Sequence, residues 1–144
     1  MIRVRSKVRG LGGFRRRMET QGKAVSAKLA LALDEAAQAV QGEAQRLIAD
    51  PPKSGRIYQK YVPRRVHQAS APGQAPATDT GALIASIVID RTDVPRGRIV
   101  IAATSAYAKH LEYGTRKMAP RPFLRRALRT MRRRIVQLFE AAAR

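Results

Sequence analysis

Two stretches of the chain repeat their apolar residues with helical spacing, and between them lie shorter runs with the alternation of strands. In the first stretch Met18, Val25, Leu29, Leu33, Ala36, Ala37, Val40, Ala44 and Leu47 fall on one helical face, which predicts a long amphipathic helix from about Phe14 to Ala49. Gly22 and Gly42 weaken it locally, each by roughly 1 kcal/mol relative to alanine. Pro51 and Pro52 end it after Asp50, because a residue that precedes proline avoids the helical region. In the second stretch Phe123, Leu124, Ala127, Leu128, Met131, Ile135, Leu138 and Phe139 form one stripe, while Arg125, Arg126, Arg129, Arg132, Arg133 and Arg134 lie mostly off it. This is the clearest helical pattern in the chain.

The β-branched runs Ser86-Ile87-Val88-Ile89-Asp90 and Arg98-Ile99-Val100-Ile101-Ala102, with Pro95 and Gly97 between them, predict an antiparallel hairpin. Before it, Thr78-Asp79-Thr80-Gly81 offers capping oxygens for a single helical turn at Ala82, Leu83 and Ile84. After it, Ser105 caps a short helix from Ala106 to Tyr113, and Gly114 supplies the left-handed residue that ends it. At the N-terminus Ile2, Val4 and Val8 hint at a strand within a basic arm, residues 1–13, that closes on Gly10, Gly12 and Gly13. Residues 51–79 hold five prolines, two glycines, five basic residues and no acid before Asp79. They read as a long extended loop with a short hairpin around Ile57 to Val66, a segment expected to be ordered by a neighbouring subunit. The expected architecture is α+β, with the long N-terminal helix and the C-terminal helix packed on a small antiparallel sheet. The C-terminal helix is expected to cover the hairpin, with the first helix beside it. No internal repeat or linker divides the chain, so residues 1–144 are expected to form a single domain.

Composition adds two things to this picture. The apolar residues are rich in alanine and aromatics make up only 5%, so a single chain buries little apolar area and gains from burying more against copies of itself. The chain also carries 29 Lys and Arg against 10 Asp and Glu, a net charge of +19, which draws it towards polyanions without sequence preference. With no cysteine, disulfides and thiolate metal sites are excluded. No run of about 18 apolar residues spans a bilayer, and the N-terminus lacks a secretory signal. A soluble chain, with no membrane partner and made in the cytoplasm, is expected.

Candidate chemistry is sparse. His67 and His110 have no second ligand at metal spacing, no phosphate-cradling glycine loop is present, and Asp79, Asp90, Asp93 and Glu112 are scattered. His110, Glu112 and Tyr113 resemble the parts of a metal-free ribonuclease, but residues two or three apart on a helix do not all point one way. No catalytic residue, metal or cofactor is expected.

The run Ala106-Tyr107-Ala108-Lys109-His110-Leu111-Glu112-Tyr113-Gly114-Thr115-Arg116-Lys117-Met118-Ala119-Pro120-Arg121-Pro122-Phe123-Leu124 resembles the signature of a phage neck protein family, the tail-completion or head-tail joining proteins. The block Ala69-Ser70-Ala71-Pro72-Gly73-Gln74-Ala75-Pro76, followed by Asp79-Thr80-Gly81-Ala82-Leu83, resembles that family's Ser-x-Pro-Gly loop and Thr-Gly-x-Leu turn. The resemblance spans roughly residues 14 to 140. It implies a non-enzymatic virion protein in the neck of a long-tailed phage, a homo-oligomeric ring through which DNA passes. A hexamer is favoured over a dodecamer, and the implied partners are the head connector and the tail terminator or tail tube. Subunit-interface candidates are then Tyr107, Glu112, Tyr113, Gly114, Thr115, Pro122 and Phe123, with loop contacts from Tyr58, Tyr61, Ser70, Pro72 and Gly73. The motif has two readings: a scaffold within the chain, with Gly114 as a sharp exit and Pro122 at the first turn of the last helix, or a contact in which Glu112 pairs with an arginine of the adjacent subunit. Arg15, Arg16, Arg17, Arg125, Arg129, Arg132 and Arg133 are the candidates to face double-stranded DNA or partner proteins. The alternative from another class is a nucleoid-type DNA-binding protein, for which +19 and an Arg121-Pro122 wedge would speak.

Overall fold

A computed structural model describes residues 2–3, 23–50, 54–77 and 79–144. The expected helix start at 14–22, the strand positions Val4 and Val8, the glycine joint and Arg15, Arg16 and Arg17 lie outside the described residues. In chain order the elements are β1 (Ile2–Arg3), α1 (Lys23–Ala49), β2 (Ile57–Tyr61), β3 (Arg64–Gln68), α2 (Ala82–Ala85), β4 (Ile87–Asp90), β5 (Val100–Ala103), α3 (Ala108–Tyr113) and α4 (Leu124–Ala142), with a 3-10 turn at Val94–Arg96. This is the expected α+β class.

Helix α1 buries Leu29, Ala32, Ala36, Ala37, Val40, Ala44 and Ile48, a stripe at helical spacing in which Ile48 takes the innermost place expected of Leu47. Its small residues leave room for close approach of a second helix. That second helix is α4, which packs chiefly along α1 and does not lie over the β4–β5 hairpin as expected. The apolar stripe of α4 dictated a buried face but not its partner. Strand β5 is the middle of an antiparallel sheet ordered β1-β5-β4, with Ile87 opposite Ala103 and Asp90 opposite Val100. Helix α1 lies against β4 and β5, and Gln41 on that helix donates from Nε2 to the Ile87 carbonyl at 2.7 Å. One core then joins Val40, Ala44 and Ile48 of α1, Leu83 of α2, Ile87, Ala103, Ala108, and Phe123, Leu124 and Ala127 around the start of α4.

Local starts differ from the sequence reading in instructive ways. Helix α2 begins after Gly81 at φ 76 with no side-chain cap of its own N-cap residue; the Ala82 N–H donates to Thr80 Oγ1 at 3.4 Å. Helix α3 begins at Ala108, two residues later than expected, because the Ala108 N–H is taken by the backbone carbonyl of Ser105 rather than by its hydroxyl. The segment 51–79 is less irregular than expected: β2 and β3 form a full antiparallel ladder from Ile57↔Gln68 to Tyr61↔Arg64, closed by Val62 and Pro63 through a cis peptide bond.

Candidate functional site

The residues singled out by the sequence gather in two places, an elbow between α3 and α4 and the β2–β3 hairpin. The elbow starts from a problem that every helix has. The first N–H groups of α4 have no partner within the helix, and its N-cap residue, Phe123, has no side-chain oxygen to offer. Glu112 solves this from another element. Its Oε2 accepts from the Phe123 N–H at 2.8 Å and the Leu124 N–H at 3.1 Å, and its Oε1 from the Arg125 N–H at 3.0 Å. A carboxylate at a helix N-terminus is also favoured by the helix dipole. The charge is 1% exposed and is matched by Arg125, whose Nε reaches Oε1 at 3.1 Å while its other arm donates to the Glu112 carbonyl at 2.9 Å. The guanidinium in turn sits 4.9 Å from the ring centre of Tyr113, a cation–π distance.

The chain between these partners is tightly turned. Gly114 has φ 76 and ψ 178, an extended geometry at positive φ that is essentially confined to glycine rather than the left-handed helical well expected. A Cβ there would stand 2.7 Å from the Met118 carbonyl oxygen, so conformation and space demand glycine independently. Thr115 and Met118 bridge each other, and the Arg121 N–H donates back to the Leu111 carbonyl at 2.6 Å. Pro122 is half-buried ahead of the N-cap, outside the first helical turn in which it was expected, and Phe123 is fully buried. The two sequence blocks meet here, since the Gly73 N–H donates to the Pro120 carbonyl at 3.1 Å.

Glu112, Phe123 and Ser70 are therefore placed in the interior of one chain, and the arginine partner of Glu112 is Arg125 of the same chain. Tyr107, Tyr113, Thr115 and Pro72 are exposed. Tyr107 lines a cleft of about 350 Å³ together with His67, Pro76, Ala77, Leu83 and Leu111. The sequence reading missed this cleft, and it missed Glu112 as a helix cap. One signal existed: Arg-Pro-Phe-Leu opens a helix without a Ser, Thr, Asp or Asn to cap it, which calls for an acceptor from elsewhere.

The hairpin is the opposite of the elbow. Its apolar side chains face out: Ile57 is 63% exposed, Tyr61 73%, Val66 70% and Val62, at the tip, 94%. Tyr58 is exposed as well. Gly55 anchors its base. The Gly55 N–H donates to the Ala69 carbonyl at 2.9 Å and the Ala69 N–H to the Arg56 carbonyl at 3.0 Å, an approach so close that a Cβ on Gly55 would lie 2.5 Å from the Ser70 carbonyl oxygen.

Outside these two sites several acids pair with arginine. Asp34 binds Arg91, Glu35 faces Arg134, Glu43 binds Arg46, and Asp93 binds Arg98 and Arg96. The Arg91 and then the Gln38 hydrogen bonds hold the Asp34 carboxyl below its ordinary range, Arg46 does the same for Glu43, and Arg98 for Asp93. His110 and Tyr113 are exposed while Glu112 is buried, so the three do not converge on one substrate position. Among the described residues no group of three or more His, Cys, Asp and Glu could hold a metal ion, and no helix is long and apolar enough to cross a membrane.

The buried acid thus serves as a cap within the chain, while the hairpin presents apolar side chains to solvent. In a comparison with known families, residues 13–114 match the HK97-gp10-like model, described as "Bacteriophage HK97-gp10, putative tail-component". The chain belongs to this family, a phage head-tail and tail-completion family, and is a non-enzymatic structural component of the virion tail that contacts other virion proteins. The match ends at Gly114 and leaves α4 outside it. No curated protein and no solved structure matches the chain significantly.

Proposed function

We propose that the protein is one subunit of a closed ring at the junction of head and tail, six copies around a hole that the double-stranded genome traverses. One face docks to the head connector and the other to the tail terminator or tail tube. The observation that carries this reading is the β2–β3 hairpin. A two-stranded hairpin is marginal in water on its own, and this one exposes Tyr61, Val62 and Val66, so it gains most by being covered. Among the described residues nothing in its own chain covers it. The cleft beside Leu83, Tyr107 and Leu111, which Asp79, Thr80 and Arg121 also line, has apolar walls to receive it, but His67 near the base of the hairpin forms a wall of that same cleft. Four residues of strand at about 3.3 Å each place Pro63 about 13 Å beyond His67, out of reach of the cleft it borders. The tip therefore enters the cleft of the next copy, a head-to-tail contact of unlike patches, and such a contact closes into a ring when the rotation between successive copies divides the full circle.

The absence of cysteine makes a direct test simple. Particles assembled with Val62→Cys and Ala77→Cys together, then mildly oxidised, should give a ladder of disulfide-linked species that ends at the hexamer. Intact particles in which this pair yields only monomer would overturn the reading.

A further inference from the structure

We infer that the exposed face of α4 is the surface that meets double-stranded DNA, through Arg129, Arg132 and Arg133; this rests on the reading that the genome passes along the subunit. Not every basic residue of the chain is equally available. Arg125 is held by Glu112 and Tyr113, Arg134 faces Glu35, Arg46 binds Glu43, and Arg91, Arg96 and Arg98 are bound to Asp34 and Asp93. Arg126 lies near enough to Glu43 to lower the pKa of that acid. Arg129, Arg132 and Arg133 are exposed, and no acid among the described residues pairs with them. At 3.6 residues per turn they share about 100° of arc, turned away from the buried stripe of Leu124 and Ala127. Glu140, seven residues past Arg133, bounds the stripe at its C-terminal end.

Like charges three and four residues apart destabilise a helix, so the stripe is costly unless an anion lies along it. A second copy of this chain is a poor candidate, since each copy brings another +19. Against an acidic protein stands the make-up of the patch. The centre of a protein–protein interface is apolar, aromatic and depleted in charge, whereas the only large apolar residue exposed on α4 is Val136. A row of guanidinium groups on a straight helix instead fits a phosphate backbone, which it neutralises without reading sequence. That property suits a duplex which must slide.

The test is fluorescence anisotropy of a labelled 20-base-pair duplex, titrated with purified full-length protein between about 20 and 200 mM salt. Each phosphate contact contributes about 0.9 to the slope of log affinity against log salt. The variant Arg129→Ala, Arg132→Ala and Arg133→Ala should therefore flatten the slope by about 2.7, with helicity by circular dichroism retained because alanine favours helix. A charge-matched variant, Lys109→Ala, Arg116→Ala and Lys117→Ala, removes three exposed cations near the elbow and should leave most of the slope in place. Equal flattening by both variants would show that net charge binds rather than the stripe. An unchanged slope in the α4 variant, with its loss from assembled particles, would assign the stripe to an acidic protein. Either result overturns the inference. The measurement does not depend on ring formation, so it separates failure here from failure of the proposed ring.

Discussion

The elbow and the hairpin lie close together, and each inverts the usual rule of where polar and apolar groups belong. At the elbow a carboxylate is 1% exposed, yet each of its oxygens has partners: three backbone N–H groups and a guanidinium. On the hairpin Val62 is 94% exposed and Tyr61 73%. The buried acid serves the fold, because its partners are all in the chain and its geometry fixes how α4 leaves α3. The exposed apolar tip contributes little to the fold, because no described residue covers it, and under the proposed ring it serves assembly. Conservation of shape and capacity for contact are thus carried by different residues, and substitutions should separate them.

The largest expected effect is at Glu112. Glu112→Ala strands three helix-end donors and releases Arg125, which is half exposed and can be solvated, so the lost cap and its unsatisfied donors should cost about 2–4 kcal/mol. Urea denaturation of the isolated chain would measure it, and a loss below 1 kcal/mol would mean that the elbow does not depend on its acid. Glu112→Gln keeps one acceptor oxygen but turns an amide donor towards backbone donors, so a smaller loss of about 1–2 kcal/mol is expected. At the other site the order of effects reverses. Tyr61→Ser with Val62→Ser should change the stability of the isolated chain by no more than about 0.5 kcal/mol, as for other surface positions, while particles fail to complete. If the double variant unfolds the chain, or assembles normally, the contrast between the two sites is lost.

Much of the fold was legible because it depends on periodicity. The stripe from Phe123 to Phe139 predicted α4, and the β-branched runs either side of Pro95 predicted β4 and β5. What the pattern left out was partnership. A stripe says that one face is buried without saying against what, so α4 was expected on the sheet and is found on α1. The uncapped start at Arg-Pro-Phe-Leu signalled a missing acceptor but not that Glu112 is the acceptor, since the groups it binds are backbone amides 11 to 13 residues later, across a linker that folds back through Gly114 and Arg121. The hairpin illustrates the converse. Its strands were visible at Ile57 to Val66, but only the structure shows how far Tyr61 and Val62 stand exposed among the described residues.

The claim on which the rest depends is that this hairpin joins unlike patches of successive copies around the path of the genome. Cryo-electron microscopy of intact particles, reconstructed through the neck without imposed symmetry, tests it most directly. The expected result is a ring of six copies between head connector and tail, each hairpin seated beside Leu83, Tyr107 and Leu111 of its neighbour and each α4 facing the lumen. Density for the chain elsewhere in the particle, or a ring whose hairpins point into solvent, would contradict it.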